Sequence, residues 1–322
     1  MIIENIMKER EFHPAIDNLI YTLIKIIVRF LALMPRPWIK PVSRALGRLW
    51  FKLDKRHRDI AMDNLTHAYG KEKSTEEIRQ IGQDTFIHLA SVMLELPHLF
   101  KLDSTNLKSF VRFSGLNHVY KALRQDKSLV FLTAHYGNWE LMAISAAQRV
   151  GIPIHVMVRP LDLAPADRVL TEMRSHTGNV VLDKDKSANA VAGLLKNKQA
   201  VGILLDQNAS WYEGVYVPFY DRICCTNKGL AIFAIRHGAT VIPAFSRKQP
   251  DGLYDVEFLP ALTLIRTGNI GKDVEANTAM FNKVMEDAIR KDPTQWLWVH
   301  RRWRIKDIPE RARKKMGGLP EL

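Results

Sequence analysis

Beyond residue 100 the sequence settles into an alternation of short apolar runs and stretches of helical periodicity. "SLVFLTA" (128–134), "IPIHVMV" (152–158), "NVVLD" (179–183), "AVGILLD" (200–206), "ATVIPAFS" (239–246) and "YDVEFLPAL" (254–262) have the length and composition of strands. Between them "WELMAISAAQRV", "PADRVLTEMRSHTG", "SANAVAGLLKNKQ" and "NKGLAIFAIRHG" space their apolar residues as helices do, the second and last stopping at Gly. Such alternation predicts an α/β fold: a central, mostly parallel sheet flanked by helices. "ANTAMFNKVMEDAIRKDPTQW" reads as a late helix. Upstream, "KSTEEIRQIGQDTFIHLASVMLEL" opens on a capping box, Ser74 with Glu77, and keeps helical periodicity to Pro97.

The N-terminal part reads differently. From Ala15 to Met34 the chain runs "AIDNLIYTLIKIIVRFLALM", closed by Pro35 and Pro37. About 20 residues are enough to span a bilayer. Lys25 and Arg29, however, share one helical face, and a charge at a helix centre costs about 2.5–3.5 kcal/mol on insertion. A helix lying in the membrane interface, or a tilted span with snorkelling cations, fits better than a deep span. A soluble amphipathic helix packed on the domain fits the same residues. Glu4, Glu9 and Glu11 interrupt any signal-peptide n-region. Basic residues follow from Arg36 to Arg58, interleaved with Trp38, Trp50 and Phe51, a pattern expected on the cytoplasmic side. The organisation expected is therefore a membrane-associated helix and basic interfacial segment over residues 1–60, a catalytic domain over 61–310 and a tail over 311–322.

Charge bounds the partners. Lys and Arg number 47 against 34 Asp and Glu, a net +13, which favours anionic membrane, nucleic acid or acidic proteins. No helix-turn-helix, zinc-finger or RNA-recognition signature accompanies it, so no nucleic acid is expected. Cys224 and Cys225 are adjacent, a spacing that rarely closes a disulfide and does not suggest zinc; neither metal nor cofactor is expected.

The chemistry concentrates in "TAHYGNWEL" (133–141). Residues five apart on a helix diverge by roughly 140°, so His135 and Glu140 meet only if a helix starts between them. The sequence supplies that start: Gly137 for a tight bend, Asn138 as N-cap, Glu140 in the first turn. His135 then stands at the carboxyl end of a strand, where open α/β sheets collect catalytic groups. Glu140 in that position can take one imidazole N–H while the other nitrogen removes a proton from a hydroxyl. It can equally be a first-turn Glu complementing the helix dipole. No GxSxG elbow suggests a serine esterase.

"HYGNWE" resembles the H-x4-D/E motif of glycerolipid acyltransferases, in the form found in the bacterial lipid A late acyltransferases. "MVRPLD" (157–162), "LLDQ" with "GVYVPFYDR", and "QWLWVHRRWR" are similar to that family's later blocks, and with "RDIAMDNL" and "FSGLNHV" the similarity runs from about residue 15 to 307. The resemblance implies an acyl-acyl carrier protein donor and a Kdo-lipid IVA-type glycolipid acceptor. It also implies attachment to the bacterial inner membrane, with the active site on its cytoplasmic face. It makes His135 the general base and Glu140 its orienting partner, and implies substrate-binding roles for Arg159, Asp206, Gln207, Arg301 and Arg302. Another membrane lipid as acceptor, a lysophospholipid or phosphoinositol mannoside, is the nearest rival; a non-catalytic basic binding protein is a more distant one. The family's PFFG reads "PFYD" here, with Tyr220 and Asp221 in place of an aromatic and a glycine, which leaves the shape of that loop open.

Overall fold

A computed structural model describes residues 14–183 and 187–304. The acidic n-region and the 311–322 tail lie outside them. Helices come first: α1 (Pro14–Leu31), α2 (Arg36–Leu53), α3 (Lys55–Tyr69) and α4 (Thr75–Leu99). The Ser74–Glu77 capping box opens α4, which continues two residues past Pro97. Pro97 falls in the last turn, where it forfeits little of the hydrogen-bond ladder. The α/β alternation follows: β1 (Val111–Ser114), α5 (Leu116–Arg124), β2 (Leu129–Thr133), α6 (Trp139–Val150), β3 (Ile154–Val158), α7 (Ala164–Ser175), β4 (Val180–Asp183), α8 (Ser187–Lys196) and β5 (Ala200–Leu204). A hairpin of β6 (Gly214–Phe219) and β7 (Arg222–Asn227) precedes α9 (Gly229–His237), β8 (Thr240–Lys248), β9 (Tyr254–Phe258) and α10 (Ile270–Lys291).

Among the described residues the main sheet has seven strands in the order β1-β9-β8-β2-β5-β3-β4. All neighbours run parallel except β8 and β9. The expected mostly parallel α/β sheet is therefore present. Central β2 is buried on both faces and divides its residues between two cores. Val130 and Leu132 join the core under α8, α9 and α10; Leu129 and Phe131 join the core under α5 and α6. Phe51 of α2, Leu65 of α3 and Phe86 of α4 complete the first of these.

The hairpin did not read as strands because Pro218 interrupts its apolar run. Its turn is formed by Tyr220 and Asp221, both in the left-handed region at φ 50° and 59°. Two positive φ values in succession are what a tight hairpin turn needs, usually from Asn or Gly. Tyr220 holds its place through burial: its hydroxyl meets Tyr69 Oη at 2.9 Å and its N–H donates to Glu286 Oε2 at 3.0 Å.

α1 leaves much of its apolar surface uncovered. Its side toward the protein is mixed: Tyr21 and Lys25 both bond Glu172 of α7, Arg168 stacks over the Tyr21 ring at 3.9 Å, and Ile20, Ile24, Val28 and Leu31 are half-buried beside them. Its apolar side, with Leu19, Leu23, Ile26, Ile27 and Phe30, points outward, Phe30 being 73% exposed. Lys25 thus makes a partly exposed ion pair against α7 instead of snorkelling toward headgroups. No helix among the described residues is long and apolar enough to cross a membrane, so the tilted span that the sequence left open is set aside.

Candidate active site

Strand register builds the site. Thr133 pairs with Leu204 at the carboxyl ends of β2 and β5, and Leu205 N–H continues the ladder to the Thr133 carbonyl at 3.0 Å. Two residues further on in each strand, His135 therefore meets Asp206. The Asp206 carboxylate accepts the His135 backbone N–H at 2.9 Å through Oδ2 and faces imidazole Nδ1 at 2.8 Å through Oδ1. Trp296 Nε1 donates a third hydrogen bond, at 2.7 Å, to Oδ2. Burial raises the Asp206 carboxyl, but the adjacent imidazole and the donors from His135 and Trp296 outweigh it and hold the group down at about 2. Asp206 is 1% exposed, the His135 side chain 20%. With Nδ1 committed to Asp206, Nε2 has no hydrogen-bond partner among the described residues and is the nitrogen left for chemistry.

The turn after His135 is fixed from behind. Gly137 has φ +62°, and a Cβ there would lie 1.9 Å from the Ser246 carbonyl oxygen, so the position excludes any side chain. Its N–H donates to the Gln295 carbonyl at 3.0 Å and its own carbonyl accepts from His88 Nε2 at 3.0 Å. Burial depresses the His88 imidazole below its ordinary value, while the Gly137 carbonyl works in the opposite direction. Asn138 caps α6 as its side chain accepts from Leu141 N–H at 3.0 Å, and its amide donates to Glu95 at 3.0 Å. The expected helix start between His135 and Glu140 is there.

The expected contact between His135 and Glu140 is not. Glu140 is buried and takes a bidentate pair from Arg174 of α7, at 2.8 and 2.5 Å. A guanidinium fork fits both carboxylate oxygens, whereas the imidazole already has a carboxylate beside it on the neighbouring strand. Glu140 thereby ties the first turn of α6 to α7, and the carboxylate beside His135 Nδ1 is that of Asp206. Asp206 had been expected at the substrate; at 1% exposed and with its oxygens occupied, it faces the imidazole instead.

The other expected substrate residues separate. Arg159 stands just past β3 on the same carboxyl edge of the sheet, 70% exposed, its guanidinium 3.3 Å from Asp162. Gln207 follows Asp206 with its side chain exposed and its carbonyl accepting from Arg302 at 2.9 Å. Arg302 is fully buried, where it also bonds the Cys225 carbonyl, Thr226 Oγ1 and Asn282 Oδ1 and lies over the Phe219 ring. It braces the loop after Asp206, and its enclosure removes it from the substrate. Arg301 is exposed on a separate cavity with Arg56 and Arg222.

Two participants carried no readable signal as such. In sequence Arg174 is only a cation in the last turn of a helix, and Trp296 one aromatic among several in the closing segment. Among the described residues no group of three or more His, Cys, Asp and Glu side chains forms a metal site.

A parallel α/β sheet with a carboxylate-held histidine at its carboxyl edge and a glycine-enforced turn into a helix defines a class of α/β proteins whose sheet edge is suited to general-base chemistry on a hydroxyl or water. Within that class, the description "bacterial lipid A biosynthesis acyltransferase" matches residues 9–305, and the chain belongs to that family. A lipid A biosynthesis lauroyltransferase of Escherichia coli is 25% identical over 283 residues, covering 86% of this chain and 90% of the relative. A palmitoleoyltransferase of the same organism is 21% identical over 281 residues, 86% and 88% of the two chains. A lipid A biosynthesis acyltransferase of Haemophilus influenzae is 23% identical over 286 residues, 87% and 88%.

Proposed function

We propose that the protein transfers a fatty acyl chain from an acyl carrier protein thioester to a hydroxyl of an acyl chain on a Kdo-lipid IVA-type lipid A precursor. The observation that carries the reading is the partly exposed imidazole of His135, held through Nδ1 by buried, ionised Asp206. Nε2 takes the proton of the acceptor hydroxyl as its oxygen attacks the thioester carbonyl. The C–S bond then breaks, and the imidazolium returns the proton to the departing thiolate, leaving an ester and a free carrier thiol. Asp206 fixes the tautomer and stabilises the transient imidazolium, as an orienting carboxylate does in serine hydrolases. Arg159, exposed on the same sheet edge, would hold the oxyanion, since the N–H groups of His135, Tyr136 and Gly137 in the turn already donate to Asp206 and to backbone carbonyls. Arg301 and Gln207 remain proposed contacts for the acceptor's anionic groups.

The outward apolar face of α1, with exposed Trp38 on α2, supports docking in the interface of the inner membrane, which would place the site on the cytoplasmic side beside a substrate that stays in the bilayer. The test is transfer of radiolabelled acyl groups from acyl carrier protein to the glycolipid, comparing wild type with His135→Ala and Asp206→Asn. Product from wild type and near-background product from folded variants supports the reading. Product only on a lysophospholipid or phosphoinositol mannoside moves the acceptor assignment, and unchanged transfer by His135→Ala defeats the mechanism.

A further inference from the structure

Behind the catalytic turn lies a cavity of about 1100 Å³ that His135 does not line. Ligand pockets commonly measure about 300–1,000 Å³, so this one admits a sugar-sized headgroup and excludes a folded protein. One wall is α2, which offers it Arg36, Lys40, Arg44 and Arg48, a ladder at four-residue spacing that puts the four cations on one side of the helix. Arg247 and Lys248, from the end of β8, also line it.

Two of these six cations are engaged with the protein, Lys248 by Glu95 and Ser91 and Arg36 by the Ser109 carbonyl and the Phe110 ring; the other four are not. The side chains of Lys40, Arg44, Arg48 and Arg247 make no ion pair or hydrogen bond among the described residues. Four carboxylates share the cavity and each has a partner: Glu95 pairs with Lys248 of the same wall and accepts the Tyr254 hydroxyl, Asp251 pairs with Arg112, Asp84 accepts from Gln80, and Asp292 accepts from Thr294 and Gln295. Unpaired like charges along one helix are destabilising, and an arrangement that concentrates them on a concave surface is suited to a multivalent anion. Guanidinium groups in particular match phosphate oxygens in pairs.

Two further observations give the cavity a direction. The other exposed ridge of α2 is apolar, with Trp38, Leu46 and Leu49, so the basic wall adjoins a surface suited to lipid. The floor abuts the catalytic turn: His88 and Gln295 line the cavity, and these are the residues that hold the Gly137 carbonyl and N–H, each at 3.0 Å.

We propose that this cavity binds a phosphate group of the glycolipid acceptor's headgroup, with Arg44 and Arg48 as principal contacts, and so seats the acceptor against the back of the turn that carries His135. The proposal rests on the acceptor being a phosphorylated glycolipid. Its test is a binding measurement without donor, so that it reads out even where no acyl transfer occurs.

Wild type, Arg44→Ala/Arg48→Ala and the charge-matched control Arg124→Ala/Lys127→Ala are sedimented with phosphatidylcholine vesicles containing a phosphorylated lipid A precursor, its dephosphorylated form, or phosphatidylglycerol at equal charge. The cavity variant is expected to lose at least tenfold in affinity for the phosphorylated glycolipid, and the control pair less than twofold. Dephosphorylation should weaken wild type to a similar degree. Equal losses from both double variants, or equal losses on phosphatidylglycerol, would overturn the cavity in favour of diffuse attraction to a charged surface. Calorimetric titration with inorganic phosphate separates the sources: affinity matching that for the glycolipid would overturn the lipid assignment. In the transfer assay the same variant should raise KM for the acceptor and not for the acyl donor; the reverse would assign the ladder to the acidic carrier protein and overturn the proposal.

Discussion

At the scale of single residues, the site turns on which carboxylate faces His135. His135→Ala should lower kcat by about 10²–10⁴, the usual worth of general-base assistance. Asp206→Asn, which keeps the shape and removes the charge that fixes the tautomer, should approach the same loss while thermal unfolding still shows a cooperative transition. An Asp206→Asn enzyme with more than half of wild-type kcat would remove Asp206 from the mechanism. The hairpin turn offers a test of stability alone. Asp221 has φ 59°, a conformation that costs most L-residues about 1–2 kcal/mol and glycine nothing. Against that, glycine gives up about 0.5–1 kcal/mol of chain entropy on folding. Asp221→Gly should therefore raise stability by up to about 1 kcal/mol in urea titrations, whereas Tyr220→Gly should lower it, because the buried ring and its contact with Tyr69 are lost.

At the scale of elements, Glu140 and Arg174 act as a clasp between α6 and α7. Removing one partner of a buried ion pair costs about 3–5 kcal/mol, mostly by stranding the other charge, while replacing both with apolar groups is often near neutral. Glu140→Ala should thus destabilise strongly, and Glu140→Leu/Arg174→Met should recover most of the loss by calorimetry. If activity recovers along with stability, Glu140 acts by positioning α6; stability restored with activity still absent would give it a direct chemical role. His88 makes the same turn sensitive to pH. Its folded form is the neutral imidazole donating to Gly137, with a depressed pKa, so acid favours the unfolded chain, which takes up the proton. Its contribution is complete above about pH 6.5 and fades as pH falls below that, by up to about 1.4 kcal/mol per unit. His88→Gln, which can still donate but does not titrate, should flatten the difference in urea midpoint between pH 7.5 and 5.5. Identical differences in the two proteins would dismiss His88 as the source.

At the scale of the whole molecule, α1 exposes a row of large apolar side chains. The helix is held on its inner side by Tyr21 and Lys25 and by half-buried Ile20, Ile24 and Val28, so substitutions on the outer side should leave the fold intact. Leu23→Glu/Phe30→Glu should keep the wild-type melting temperature within a few degrees yet lose flotation with anionic vesicles. Unchanged flotation would shift membrane contact to α2 or to residues outside those described. Much of the architecture was legible beforehand: the six strands read from apolar runs all occur, and "WELMAISAAQRV" is α6 residue for residue. β1, at four residues, is too short to stand out, and the 36–58 stretch reads by its basic charge and interfacial aromatics, which leaves the helices α2 and α3 that carry them unassigned.

Local chemistry was enough to place a helix start just after His135, because a strand end, an obligatory glycine, an N-cap and a histidine act within six consecutive residues. It was also enough to predict a mostly parallel sheet, because alternation is itself the signature of crossover connections. Which carboxylate serves the histidine was not decided locally. Glu140, five residues away, is drawn to Arg174, and Asp206, 71 residues away, arrives through the register of β2 against β5. Spacing along the chain limits what can meet; strand pairing and competition between buried charges choose among the possibilities, and both exist only once the sheet has formed.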